Sequence, residues 1–249
     1  MKYLICTAFI LLYTAIGGKL AIAQQASFKS TSEVQEDWLK ALQGSESLMS
    51  FYSKNSGILI GDSLYVGLDK IDGQIEKVNT WQFVKYTSEE TFQLRENQKF
   101  ELGSYQTRDG KTYSTIIGWR KGAEWKKEFE VWYEKTFSGT QKDVVEKERG
   151  IWEKHSNQHR PDLIVEDLAS KNGKYFNRGK EYHRDEIASA YSYMNNSSYS
   201  IKLTALKVLQ VDESTIFDIG TFDVGGKGLY TLIWKKEAGE WKLLLDFNF

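Results

Sequence analysis

GLYTLIWKKEAGEWKLLLDFNF, residues 228–249, reads as two strands joined by a tight turn. Tyr230, Leu232 and Trp234 fall on one face of the first strand, and Trp241, Leu243, Leu245 and Phe247 on one face of the second, because side chains alternate along extended backbone. Ala238-Gly239 supplies the turn. Nearly the same hairpin is written earlier as GKTYSTIIGWRKGAEWKKEFEVW, residues 110–132. Outward from these hairpins the likeness continues. Phe100-Glu101-Leu102-Gly103-Ser104-Tyr105 recurs as Phe217-Asp218-Ile219-Gly220-Thr221-Phe222 at an offset of 117, and Tyr113 recurs as Tyr230 at 117. Trp119 recurs as Trp234 at 115, Trp125 as Trp241 at 116 and Trp38 as Trp152 at 114. A near-constant offset across half a chain is the mark of an internal duplication.

The expected organisation is therefore two tandem domains of one fold, residues 29–137 and 143–249, with the joint near Phe137-Ser138-Gly139-Thr140-Gln141. So short a joint brings the two copies into contact. In the second copy Asp143 is the expected N-cap, with Glu146 completing a capping box. Val145, Ile151, Trp152 and His155 follow at helical spacing. A second helix carries Leu163, Ile164 and Leu168 and stops at Ser170-Lys171-Asn172-Gly173. Tyr175-Phe176-Asn177 reads as a brief strand, and 185–193 as a third helix. Strands follow to the C-terminus. Helices segregated ahead of antiparallel strands give an α+β class, with the helices packed on one sheet face.

Residues 1–23 read as a secretory signal peptide: a positive start at Lys2, an apolar run from Leu4 to Ile16, and Ala21-Ile22-Ala23 as a small-x-small cleavage pattern. The run is short for a membrane span. The expected mature protein is thus exported, periplasmic or extracellular, with no membrane attachment after cleavage. The single cysteine, Cys6, lies in this leader, so the mature chain has no disulfide or thiol chemistry. Loss of Lys2 and Lys19 leaves 31 basic against 34 acidic residues, a net charge of −3. Such a balance gives no reason to expect nucleic acid as a partner.

The strand ending Trp234-Lys235-Lys236, the turn, Gly239-Glu240-Trp241-Lys242 and the closing Asp246-Phe247-Asn248 resemble the nuclear transport factor 2-like, or cystatin-like cone, superfamily, in its polyketide-cyclase-like and ketosteroid-isomerase-like branch. Trp152, Asn172-Gly173 and 218–222 join that resemblance. It covers nearly all of the second copy. The first copy is looser: Gly67 and Gly73 disturb its third helix, and Glu130-Val131-Trp132 stands where Asp246-Phe247-Asn248 would be. The resemblance implies two cone-shaped domains, each with about three helices on a strongly curved antiparallel sheet around a pocket. It also implies pairing through the outer sheet faces, which two fused copies can satisfy as an intrachain pseudo-dimer. The fold hosts isomerases, dehydratases, cyclases, binding modules and interaction domains, so it does not assign a function.

Enzymes of this branch use a carboxylate base near the pocket mouth. Copy two offers Tyr175-Phe176-Asn177-Arg178 there, without a carboxylate, and copy one offers Asp62 in a turn. His155, one helical turn from Trp152, is the other candidate base, since a histidine titrates near neutrality. Trp152, His155, Asn177, Tyr230, Trp234, Asp246 and Asn248 are the expected ligand-contacting residues, and Tyr105, Tyr113 and Tyr182 add candidate aromatic wall. His155 and His159 stand four apart, but no third ligand accompanies them and no HExxH is present, so no metal and no cofactor is expected. Asn195-Asn196-Ser197-Ser198 contains glycosylation sequons and marks a loop. The leading reading is an exported, non-catalytic binder of a small apolar or mixed-polarity ligand. The alternatives are an isomerase-, dehydratase- or cyclase-type enzyme and a sheet-mediated interaction module.

Overall fold

The computed structural model describes residues 29–44, 47–78, 81–139 and 143–249. The expected leader, 1–23, lies outside the described residues, as do Thr140 and Gln141 of the expected joint.

The first unit opens with α1 (Thr31–Gln43). Ser30 caps it: its hydroxyl accepts from the Glu33 amide, and the Glu33 carboxylate accepts from the Ser30 amide at 2.6 Å. Val34, Trp38, Ala41 and Leu42 recur at helical spacing and are buried. A 3-10 turn at Leu48–Phe51 leads to β1 (Tyr52–Ile60), β2 (Ser63–Val66), α2 (Leu68–Val78), β3 (Phe83–Arg95), β4 (Gln98–Thr107), β5 (Thr112–Lys121) and β6 (Trp125–Glu134). The second unit has α3 (Glu146–Asn157), α4 (Pro161–Leu168), β7 (Ala169–Asn177), β8 (Lys180–His183), α5 (Arg184–Ala190), a 3-10 turn at Ser192–Asn195, then β9 (Lys202–Asp212), β10 (Thr215–Asp223), β11 (Lys227–Glu237) and β12 (Glu240–Asn248).

The two sheets share one topology, β2-β1-β6-β5-β4-β3 and β8-β7-β12-β11-β10-β9. Both are mixed rather than antiparallel, because the first strand of each unit lies parallel to the last. Neither is strongly curved into a cone. Among the described residues the first unit has two α-helices where about three are expected, its 3-10 turn standing at the place of α4.

Local expectations also change. α3 starts at Glu146 without a side-chain cap, and the Asp143 carboxylate instead accepts two hydrogen bonds from Arg149, at 2.9 and 3.1 Å. Ser170-Lys171-Asn172-Gly173 lies within β7 rather than ending a helix. Gly73 does not break α2, because Ile71 and Ile75, four apart, bury one side of it.

One bulge sets the faces of the last sheet pair. Ile233 pairs with Leu245 but Trp234 pairs with Leu243, so Leu244 is an extra residue in β12. An extra residue reverses the alternation beyond it. Leu243 therefore packs with Tyr230, Leu232 and Trp234 on the helix side, whereas Leu245 and Phe247 join the opposite side. The single-face reading of Trp241 through Phe247 fails for this reason. Glu128 is the extra residue at the matching place in β6.

The opposite sides of the two sheets meet. Leu245, Phe247, Phe176 and Phe217 pack with Phe100, Phe129, Val131 and Tyr133 in one buried cluster. The Phe247 ring lies 4.6 Å from that of Phe129 and 5.7 Å from that of Phe100 between centroids.

Candidate functional site

Each unit carries a buried carboxylate on the strand next to its β9- or β3-type edge strand. Asp218 accepts from the Trp234 indole at 3.2 Å, the Arg149 guanidinium at 2.9 Å and the Tyr230 hydroxyl at 3.4 Å. Burial raises its pKa even though Arg149 opposes the shift. Glu101 accepts from the Trp119 indole at 3.1 Å, Thr31 at 3.2 Å and the Tyr86 hydroxyl at 2.7 Å. The repeated Trp–carboxylate–Tyr arrangement is structural, since every polar group in it finds a partner. Trp234 belongs to it and is fully buried, outside the cavity described below.

The tyrosines reach these carboxylates by different routes. Tyr230 lies opposite Gly220, whereas Thr115 lies opposite Gly103. Tyr113 and Tyr230 are thus not equivalent in register, because between the last paired residues the β10–β11 hairpin (224–226) is two residues shorter than the β4–β5 hairpin (107–111). Tyr86 of β3 supplies the missing hydroxyl in the first unit. Both glycines are required by close approach: a Cβ at Gly103 would meet the Tyr86 hydroxyl, and one at Gly220 the Tyr230 hydroxyl.

Between the helices and the sheet of the second unit lies a cavity of about 310 Å³. Trp152 of α3 and Tyr175 and Asn177 of β7 form one side. Tyr193, Tyr199, Ile201 and Leu203 form another, with Phe222, Val224, Tyr230 and Leu232 from β10 and β11. Asp246 and Asn248 reach it from β12 because the Leu244 bulge has turned them to this side. Tyr193 and Val224 are also partly solvent-exposed and stand at its mouth.

Asp246 is the chemically distinctive group. Its side chain is buried, and the Tyr191 hydroxyl donates to it. Burial pushes its pKa up to about 6, against the hydrogen bonds from Tyr191 and Asn248 that favour the charged form. The Trp152 indole N–H is buried and has no hydrogen-bond partner among the described residues.

Of the residues expected to contact a ligand, Trp152, Asn177, Tyr230, Asp246 and Asn248 line this cavity, while His155 and Trp234 do not. His155 Nε2 lies 2.8 Å from the Asp167 carboxylate, and its Nδ1 lies 3.4 Å from Gln158. His159 Nδ1 lies 2.7 Å from the Met194 carbonyl. Asp62 is not in the cavity either. It sits in the β1–β2 turn facing the other unit, its carbonyl accepting from Lys174 at 3.1 Å and its carboxylate 3.8 Å from Lys235. Tyr182 backs Tyr175 from outside, with ring centroids 5.6 Å apart. Sequence reasoning overlooked Tyr175, Tyr191, Tyr193 and Tyr199. Three of these tyrosines within nine residues were the available signal, beside a segment read only as a loop.

In the first unit the matching place is filled. Glu130 lies opposite Ile117 as Asp246 lies opposite Leu232. Trp132 occupies the register position of Asn248 and fills the space with Trp38, Phe83 and Tyr105. Glu130 is sealed: it accepts from Tyr52 and Tyr105 at 2.7 Å each and from Lys127 at 3.0 Å.

No protein-family model matches the chain, and no curated protein is similar to it in sequence. Solved structures match part of the chain. An NTF-2 like protein of unknown function from Shewanella oneidensis is 17% identical over 43% of this chain and 96% of its own, with a TM-score of 0.39. A ketosteroid isomerase-like protein from Erwinia carotovora atroseptica is 15% identical over 41% and 92%, with a TM-score of 0.36. An uncharacterized protein with a cystatin-like fold from Caulobacter vibrioides is 15% identical over 43% and 86%, with a TM-score of 0.37.

Proposed function

We propose that this chain is an exported binding protein that holds a small apolar or mixed-polarity molecule in the cavity of its second unit. The observation that supports it most directly is the cavity's composition: aromatic and aliphatic walls around one buried carboxylate, Asp246. Ligand sites are concave, mostly apolar, and oriented by few polar groups. In this reading the domains span 29–137 and 143–249 and act as an intrachain pseudo-dimer. The first serves as scaffold, its matching space being filled. The leader 1–23 is removed on export to the periplasm or the exterior.

One observation favours an acid–base enzyme as the second reading. A carboxyl group with a pKa of about 6 exchanges a proton near neutrality, as a general base must. That role falls to Asp246 rather than to His155 or Asp62. A sheet-mediated interaction module draws less support, because the apolar sheet faces are buried against each other.

The test is thermal unfolding of the mature protein against a panel of small apolar, aromatic and carboxylate compounds, with native mass spectrometry for carried ligand. A ligand at a hundred times its Kd adds about 2.7 kcal/mol and shifts the Tm by several degrees. The binding reading expects a saturable shift that Asn248→Trp removes. No shift and no carried ligand would sink it. Turnover by the wild type that Asp246→Asn abolishes, in a folded protein, would favour the enzyme.

A further inference from the structure

The first unit contains, within its own core, what the second unit's cavity lacks. Lys127 is fully buried, and its ammonium lies 3.0 Å from both carboxylate oxygens of Glu130. The same ammonium sits over the Trp38 ring, 3.6 Å from its centroid, with Tyr52 at 5.4 Å. A cation is thus held between an aromatic face and a carboxylate, where ring quadrupole and negative charge both favour it.

The main members of that arrangement have counterparts in the second unit, although Ala169 stands there in the place of Tyr52. Trp38 corresponds to Trp152 and Glu130 to Asp246, and both counterparts line the cavity. Lys127, paired with Trp119, corresponds to Leu243, paired with Trp234. The second unit therefore keeps the ring and the carboxylate and has lost the ammonium. Among the described residues, no Lys, Arg or His lines its cavity. An anionic ligand would face Asp246 with no countercharge, and a neutral one would leave a buried carboxylate uncompensated.

We propose that the cavity takes a small molecule with a protonated amine or quaternary ammonium on an apolar body, the cationic head seated between Trp152 and Asp246 as Lys127 sits between Trp38 and Glu130. Tyr175, Tyr193 and Tyr199 add further ring faces around that head. This inference rests on the cavity being a ligand site.

Three probes with the same phenylethyl body and different head groups test it by calorimetry at pH 8: 2-phenylethylamine, 2-phenylethanol and 3-phenylpropionate. The amine should bind about tenfold or more tighter than the alcohol, and the carboxylate should not bind. Asp246→Asn should bring the amine and the alcohol to equal affinity. Leu243→Lys, which supplies an internal ammonium, should abolish amine binding. Circular dichroism checks that each variant is folded, and either variant alone suffices if the other does not fold. Equal binding of amine and alcohol to the wild type, or preference for the carboxylate, overturns the inference and leaves the ligand site standing. Failure of all three probes while the wider panel yields a ligand does the same. Failure of both sets overturns inference and site together.

Discussion

Glu130 and Asp246 hold the same register position in two sheets of identical topology, yet one is locked to a buried lysine and the other faces a cavity. The difference comes from two neighbours, Trp132 against Asn248 and Lys127 against Leu243. It turns one copy of a repeat into core and leaves the other open.

Asp246 should make the protein less stable at neutral pH than an uncharged residue would. Its folded-state pKa of about 6 lies above the ordinary 3.8, so the folded state takes up a proton more readily than the unfolded chain. The charged form therefore opposes folding above pH 6 by about 3 kcal/mol, and this penalty fades as the pH falls through 6 toward 4. Asp246→Asn should unfold several degrees above wild type at pH 8, and at the same temperature as wild type at pH 4. Calorimetric scans at both pH values check this; identical Tm values at pH 8 would refute it.

Glu130→Gln should destabilise the first unit by about 3–5 kcal/mol at pH 7, because it strands Lys127 without its countercharge. Burial already lowers the Lys127 pKa to about 8 with Glu130 present. The loss should shrink by pH 10, where the amine is neutral. Adding Lys127→Met should recover much of it at pH 7. Urea titrations of the single and double variants give the comparison, and a single variant as stable as wild type would contradict the account.

Exchange between Trp132 and Asn248 should move the cavity. Trp132→Asn empties a packed site and should cost about 3–5 kcal/mol. Asn248→Trp should fill the second unit's cavity and end ligand binding while the fold is retained. Binding titration beside circular dichroism reads both effects, and undiminished binding by Asn248→Trp would show that the ligand sits elsewhere.

Phe247→Ala should loosen the contact between the units. Its ring packs against Phe100, Phe129 and Phe176 at 5.7, 4.6 and 5.5 Å. Loss of a buried phenylalanine costs about 3–5 kcal/mol. The single unfolding transition expected of a shared core should broaden or split in two. A sharp, unshifted transition would mean that this cluster does not couple the units.

The duplication, the α+β class, the closing hairpin and the presence of Asp246 and Asn248 on the last strand are legible in the order of residues alone. All of these follow from local spacing and from residue identities repeated at a fixed offset. The same order of residues also marked Trp152 and Tyr230 through their repeated aromatic partners. Tertiary structure decided which way those side chains point. The Leu244 bulge turns Asp246 toward the helices, and the shorter β10–β11 connection gives Tyr230 the role that Tyr86 fills from another strand. Strand register depends on pairing between distant segments, and a shift of one residue exchanges the two faces of a sheet. Whether the space beside a carboxylate is filled by Trp132 or left open beside Asn248 is likewise a property of packing among elements that no local pattern encodes.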